Sequence, residues 1–327
     1  MSVTERIPDG FELRPPSVED APALAELINE TMVAEVGEPW TTAEELRDEL
    51  TAPGRNGPHD DALLLDGEGN PAGLLQLWVD IAPYTEIDAA VYVRPRLWGR
   101  GLSAWLLRLA EERARDKVHL APPGDQVVLQ APRIVDNDPA RRLFEALGYA
   151  YARTFWMMRI ELATPPPPPS LPVGIRIRTF EPGTDDARAY AALSEAFADH
   201  WGQGFPTFDQ WRHFGIEGAG AGFDPRLWFL AVEGDEVVAV ASCKPTSPRA
   251  AGTALVVDLA VRRPWRKQGI GLALLHAAFG EFHRRRIPRA ELGVDSENLT
   301  GATRLYERAG MRVAFAWEFW QKELRAG

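Results

Sequence analysis

Cysteine is nearly absent from this chain: 327 residues hold one, Cys243. A single thiol closes no internal disulfide and builds no zinc site, so a disulfide framework is excluded and a reducing compartment, most simply the cytoplasm, is expected. Long apolar runs are missing as well. No stretch approaches the roughly 18 residues that a membrane-spanning helix needs, and the opening MSVTERIPDGFELRPPSVED lacks the apolar core of a secretory signal. There is no basic excess, with 36 Lys and Arg against 47 Asp and Glu and a net charge of −11. Without a helix-turn-helix, RRM or zinc-finger pattern, that balance gives no reason to expect nucleic acid as a partner. Disorder is excluded too, because 45% hydrophobic and 25% charged residues is an ordinary globular composition. The length fits two domains of usual size.

Proline, by contrast, is concentrated. Thr164 is followed by Pro165, Pro166, Pro167, Pro168 and Pro169, then by Ser170, Leu171 and Pro172. Such a run is a stiff polyproline-II spacer that joins neither a helix nor a central strand. It predicts domains at 1–163 and 173–327 with a linker at 164–172. The halves differ in charge: residues 1–163 carry 28 acidic and 16 basic side chains, and residues 164–327 carry 19 and 20. Different tasks are expected of them.

The halves also repeat each other in the order of their elements. Short strands open them at Phe11–Arg14 and Ile175–Phe180. Helical spacing of Ala and Leu follows at Val18–Val36 and Thr184–His200. Second helices are predicted at Thr41–Leu50 and Phe208–Glu217, with Thr41 or Thr42 and Thr207 as N-caps. Hairpins then turn at GEGN, between Ala62–Leu65 and Ala72–Ile81, and at EGDE, between Leu227–Val232 and Val237–Lys244. A third strand, a Gly-rich turn, a long amphipathic helix, a strand, a short helix and an aromatic-rich last strand (Tyr151–Leu162; Met311–Leu324) complete each half.

Residues 255–275, LVVDLAVRRPWRKQGIGLALL, are the most informative segment. An apolar strand ends at Val261, a basic turn with a proline follows, and Gly269 and Gly271 open a helix. Glycines there allow positive φ and a close approach of backbone to ligand. Successive N–H groups at a helix start form an anion site, and Arg266 and Lys267 add positive charge beside it. A phosphate or pyrophosphate at residues 266–271 is the reading that physical chemistry supports.

The run Arg266-Lys-Gln-Gly269-Ile-Gly271, between Leu-Ala-Val and Leu-Ala-Leu-Leu, resembles the R/Q-x-x-G-x-G/A signature of the GNAT superfamily of N-acetyltransferases. The strand–helix order of both halves is similar to that fold over nearly the whole chain. The resemblance implies an α/β (α+β) class: two tandem GNAT domains, each a mixed, mostly antiparallel central sheet flanked by helices. It implies acetyl-CoA as co-substrate, with no metal. The CoA contacts it implies fall on Leu259, Ala260, Val261, Arg266, Lys267, Gln268, Gly269, Ile270, Gly271, Leu272 and Asn298. The segment Asn298-Leu-Thr-Gly-Ala-Thr-Arg-Leu-Tyr306-Glu-Arg-Ala-Gly310 resembles the closing helix of the family, whose Tyr sits near the CoA sulfur. A phenol there can protonate the departing thiolate, which makes Tyr306 the expected general acid. The tandem copies, together with Phe223-Asp-Pro and Phe229-Leu-Ala, are similar to mycothiol synthase and its relatives.

The first half departs from the pattern. Aligned without a gap from Val93 on Val261, it places Trp98 where Arg266 stands and Ser103 where Gly271 stands. Counting back from Gly148 puts Phe144 at the position of Tyr306 and Asp136 at that of Asn298. One departure loses a cation and another loses the acid, so catalysis is expected only in the second half. An amine acceptor must also lose a proton. Asp258, similar to the Asp of the DLAV run in aminoglycoside 3-N-acetyltransferases, is the expected base, with Asp199, His200 and Glu217 as alternatives. The acceptor is expected to be a small-molecule or peptide amine, and the chain a monomer or homodimer. An acyl-CoA-binding sensor or scaffold without catalysis is the alternative function.

Overall fold

The computed structural model of the chain describes residues 7–51, 60–79, 82–198, 201, 205–217, 222–247, 252–297 and 302–327. Local chemistry places most elements where periodicity puts them. The first half contains β1 (Phe11–Arg14), α1 (Ala21–Val36), α2 (Ala43–Thr51), β2 (Ala62–Asp66), β3 (Pro71–Trp78), β4 (Glu86–Val93), α3 (Leu102–Lys117), β5 (Val127–Ile134), α4 (Asp138–Ala146) and β6 (Ala150–Glu161). The second contains β7 (Ile175–Thr179), α5 (Asp186–Phe197), α6 (Phe208–Arg212), β8 (Phe229–Glu233), β9 (Glu236–Lys244), β10 (Thr253–Val261), α7 (Ile270–Arg284), β11 (Arg289–Asp295), α8 (Ala302–Arg308) and β12 (Arg312–Arg325).

Caps explain several boundaries. Thr42 accepts from the Glu45 N–H at 3.2 Å while the Glu45 carboxylate accepts from the Thr42 N–H at 3.0 Å, a reciprocal box that starts α2. Thr207 and Gln210 make the same box at α6. The helix expected to run to Glu217 stops earlier as an α-helix and continues as a π turn over His213–Glu217. Glycine is a poor helix former, and a Cβ on Gly215 would meet the Trp228 ring at 3.4 Å. The N-terminus of α5 falls at Asp186 because the preceding Asp185 is held by Arg178 of β7 and by the Glu181 N–H.

Two compact units result: Met1–Thr154 with Trp317–Gly327, and Phe155–Ala316. Their boundaries fall inside β6 and β12, and the proline run lies within the span of the second unit. Strand pairing decides this. Phe155–Glu161 of β6 pairs antiparallel with β11, and Trp317–Arg325 of β12 pairs antiparallel with β5. In the first unit the strand order is β1-β2-β3-β4-β5-β12, antiparallel except for β4 with β5. In the second it is β7-β8-β9-β10-β11-β6, antiparallel except for β10 with β11. Each half of the sequence thus supplies the sixth strand of the unit built mainly by the other.

Helices cover both faces of the second unit's sheet. On one, Leu274, Ala278, Phe279 and Phe282 of α7 pack with Ala241, Cys243 and Val256. On the other, Ala189, Leu193 and Ala196 of α5 pack with Trp211, Val240 and Ala260. Phe279 and Phe282 are fully buried, each stabilising by about 1.5–3 kcal/mol. Burial pushes the Cys243 thiol up, so the residue is an inert strand side chain. A buried ion pair ties β6 into this unit: Arg159 donates to Glu291 at 2.9 Å, and Ser247 donates to the other oxygen of that carboxylate. Among the described residues no helix is long and apolar enough to cross a membrane.

Candidate active site

The strand that carries Asp258 is one residue longer than its counterpart in the first unit. β10 has nine residues and β4 has eight. The extra residue forms a β-bulge: Val256 pairs with Cys243 and Asp258 with Ser242, leaving Val257 out of register with β9. β4 instead keeps unbroken register with β3 from Gly73↔Val93 to Trp78↔Asp88. On its other side β10 pairs with β11 only from Thr253 to Leu255. A bulge frees backbone groups from the ladder and re-aims the neighbouring side chains. Here it borders a cavity of about 220 Å³, whose walls include Val257, Leu259, Gly293, Asp295 and Tyr306.

Tyr306 reaches the cavity from α8. Gly310 ends that helix at φ +92°, and the Met311 N–H donates to the Tyr306 carbonyl at 3.0 Å, a left-handed C-cap. The first unit repeats this cap: Gly148 has φ +79°, and the Tyr149 N–H donates to the Phe144 carbonyl at 3.0 Å. Phe144 is therefore the structural counterpart of Tyr306, as counting predicts. Burial pushes the Tyr306 phenol up to about 12, so it stays protonated, and able to donate, through the neutral range.

The glycine turn has the same backbone in both units. Lys267 and Gly269 adopt φ +63° and +84°, and Gly99 and Gly101 adopt +78° and +82°. The Ala273 N–H is bonded to the Gly269 carbonyl, so the N–H groups before it at the helix start lack intrahelical acceptors and can face an anion. Lys267, Gln268 and Gly269 are exposed, and Ile270 is buried. Gln268 donates to the Pro264 carbonyl at 3.1 Å.

Arg266 has a job that the sequence does not reveal. Its guanidinium donates to the carbonyls of Val261 at 3.0 Å and Ala196 at 3.0 Å, strapping the turn to the strand end and to α5. The indole N–H of Trp98 makes the matching bond to the Val93 carbonyl at 2.8 Å. Trp98 thus lacks the charge of Arg266 and its bond to the first helix of the unit, yet keeps the bond that ties the turn to the strand end. Gly271 is also read differently in three dimensions. A Cβ there would meet Leu305 at 3.1 Å and Val261 at 3.6 Å, so this glycine permits close packing of α7 on α8. The same test on Gly269 meets open space, which is where a ligand can approach.

Asp258 lies in register with Ser242, whose hydroxyl donates to its carboxylate at 2.6 Å and accepts from its N–H at 3.1 Å. Desolvation raises its pKa, opposed by the Ser242 bond and the charge of Lys244. Its neighbours Val257 and Leu259 line the cavity, whereas Asp258 and the turn 266–271 are not among the lining residues. Ala260 packs with the α5 side of the core and Val261 with the α7 side. Leu272 packs against the α7-side core. Of the alternatives to Asp258, Glu217 is exposed and paired with Arg212 at 2.5 Å. Asn298, Asp199 and His200 lie outside the described residues.

Asp295, the aromatic wall of the cavity and the bulge are not legible in the sequence alone. The available signal for the bulge was the one-residue difference in strand length, which has meaning only once both strand ends are fixed by pairing. The first unit has its own, larger cavity of about 730 Å³, bordered by Trp98, Gly101, Ser103, Asn137, Phe144 and Glu35. There Asn137 donates to Glu35 at 2.6 Å and caps α4 by accepting from the Ala140 N–H. Burial raises the Glu35 pKa against that bond.

Comparison with known proteins adds a family. A model of the acetyltransferase (GNAT) family matches residues 22–149 and 188–311. A mycothiol acetyltransferase of Thermobispora bispora is 34% identical over 76% of this chain and 78% of its own length. One from Streptomyces coelicolor is 31% identical over 91% and 92%. Among solved structures, a GCN5-related N-acetyltransferase from Sphaerobacter thermophilus superposes with a TM-score of 0.80 at 37% identity, covering 98% of both chains. A tandem GNAT protein from the clavulanic acid biosynthesis pathway gives a TM-score of 0.69 at 20% identity, covering 97% of this chain and 99% of its own; it shares the fold.

Proposed function

The chain belongs to the acetyltransferase (GNAT) family, whose members use acetyl-CoA, and is an N-acetyltransferase built from two GNAT copies; on that premise we propose that transfer takes place in the second unit, to a primary amine of a small molecule. One observation carries this reading. The bulged strand and Tyr306 border a single cavity in the second unit, while the first unit has an unbulged β4 and Phe144 at the matching places. The named activity of the curated relatives, mycothiol acetylation, supports a small-molecule acceptor.

In this proposal the pyrophosphate of acetyl-CoA rests on the N–H groups at Gly269–Leu272 beside Lys267, where backbone dipoles and a cation favour negative charge. Leu259, Ala260 and Val261 border the pantetheine arm. The amine nitrogen attacks the thioester carbon, and backbone donors freed at the bulge stabilise the oxyanion that forms. The C–S bond breaks, the thiolate takes the Tyr306 proton, and the phenolate regains a proton from the nitrogen as the amide forms. Before the attack the incoming ammonium loses a proton, relayed through water to Asp258, which does not itself border the cavity and whose affinity for a proton is raised by desolvation. Amide and CoA leave.

The test is a free-thiol assay with acetyl-CoA over a panel of primary amines. It is run on the wild-type chain, on a chain lacking Val257 and on Ala104→Phe, which obstructs the first-unit cavity. Turnover is expected in the wild type and in Ala104→Phe, and none after deletion of Val257. Turnover lost in Ala104→Phe and kept in the deletion would move the active site to the first unit.

A further inference from the structure

The side of the second-unit cavity away from the α7 core has a composition that the transfer reaction by itself does not require. Strand alternation assigns the faces of β11: Leu292 and Val294 join the core under α7, so Gly293 and Asp295 face the other way. Asp295 is directly paired with Phe155 of β6, which sets carboxylate and ring side by side on that face. Trp201 adds a second ring, with its centroid 6.1 Å from that of Phe155. Phe197, at the end of α5, adds a third, and all four side chains border the cavity that holds Tyr306. The Glu297 N–H donates to the Asp295 carboxylate at 2.9 Å, which fixes its orientation. Gly293, next to it on the same face, has no side chain to fill the space.

A carboxylate among aromatic faces is a receptor for a cation. Ring quadrupoles attract an ammonium, the carboxylate accepts a charge-assisted hydrogen bond from it, and the same field repels an anion. The volume sets a limit as well. About 220 Å³ corresponds to roughly seven waters at ~30 Å³ each, enough for an acetyl group and the amine-bearing end of an acceptor. We propose that Asp295, with Phe155 and Trp201, docks the ammonium end of the acceptor. The acceptor class is then a cationic alkylamine with no acidic group beside its nitrogen, its remaining bulk outside the cavity. This rests on the second unit being the catalytic one, and it gives Asp295 a binding role separate from the proton transfer assigned to Asp258.

The probe is phenyltrimethylammonium, a permanent cation with no N–H to acetylate, titrated calorimetrically into the full chain with CoA at saturation. 3-Phenylpropionate serves as an anion of similar size. The cation is expected to bind the wild type and the anion not to. Asp295→Asn keeps an oxygen for the Glu297 N–H and should weaken cation binding at least tenfold. Trp201→Leu should weaken it about three- to tenfold, and Tyr306→Phe should leave it within twofold. With whichever amine the panel shows to be a substrate, Asp295→Asn should raise KM for the amine about tenfold and leave KM for acetyl-CoA unchanged. No cation binding to the wild type, or equal binding of cation and anion, would overturn the docking site, as would unchanged affinity in Asp295→Asn. If the docking site alone is wrong, turnover still depends on Tyr306. If Tyr306→Phe retains full turnover, the reading beneath it fails instead.

Discussion

Replacing Tyr306 by Phe separates a chemical role from a packing role, because the protein has already made the comparison in its first unit. Phe144 occupies the same cap geometry, is 5% exposed against 7% for Tyr306, and packs edge-on against Tyr149 with ring centroids 5.1 Å apart. A ring without a hydroxyl is therefore compatible with this helix position. Since the Tyr306 hydroxyl belongs to a side chain bordering the cavity, its removal should cost at most about 1 kcal/mol of stability. Its chemical value is larger. Loss of a general acid typically lowers a rate by about 10²–10⁴, which is roughly 3–5 kcal/mol at 1.36 kcal/mol per tenfold. The loss should fall on kcat, with KM for acetyl-CoA nearly unchanged, because the proton is needed as the C–S bond breaks. The pKa gives a second check. Burial raises the phenol to about 12, so the acid form persists well above the ordinary tyrosine value of about 10. A basic limb caused by Tyr306 should therefore appear only near pH 12, and the wild type should show no Tyr-dependent loss at pH 9–10. Steady-state thiol release across pH, with a thermal melt of the mutant alongside, reads both quantities. A kcat within about threefold of wild type in a folded Tyr306→Phe would make the residue a packing element and refute the assignment.

Three further outcomes are expected. Ser242→Ala removes the bond that stabilises the ionised Asp258, so the acidic limb of kcat should move to higher pH, and Asp258→Asn should abolish that limb while acetyl-CoA affinity stays near wild type; a limb that ignores both changes would end the role of Asp258 as base. Glu291→Ala leaves Arg159 without its buried partner and should destabilise the fold by about 3–5 kcal/mol, read as a fall in the urea midpoint; a loss below about 1 kcal/mol would show that the pair does not hold β6 in the second unit. Gly271→Ser brings a Cβ to 3.1 Å from the tip of Leu305 and should cost about 1 kcal/mol by overpacking, with a lowered melting temperature even without ligand; an unchanged melt would return Gly271 to a role in ligand approach alone.

Local sequence determined a good deal of this protein. The alternation of β1, the reciprocal boxes at Thr42 and Thr207, the glycine-ended hairpins and the left-handed glycines that open α3 and α7 each depend on neighbours within a few residues. The repeat of those elements fixed the family fold, and the helix-ending glycines fixed the counterpart of Tyr306 by counting. What lay beyond reach depends on partners far away in the chain. Val257 becomes a bulge only because β9 pairs on both sides of it, and no residue within β10 marks the skip. Arg266 and Trp98 look unlike in charge, yet each donates to a carbonyl five residues earlier, a match that only the folded turn reveals. Asp295 reads as an ordinary strand-end acid until its register with Phe155, 140 positions earlier in the numbering, sets it beside an aromatic ring. The proline run looked like the natural divide. Pairing of β6 with β11 and of β12 with β5 overrides it, because the unit to which a strand belongs is set by the backbone hydrogen bonds it completes.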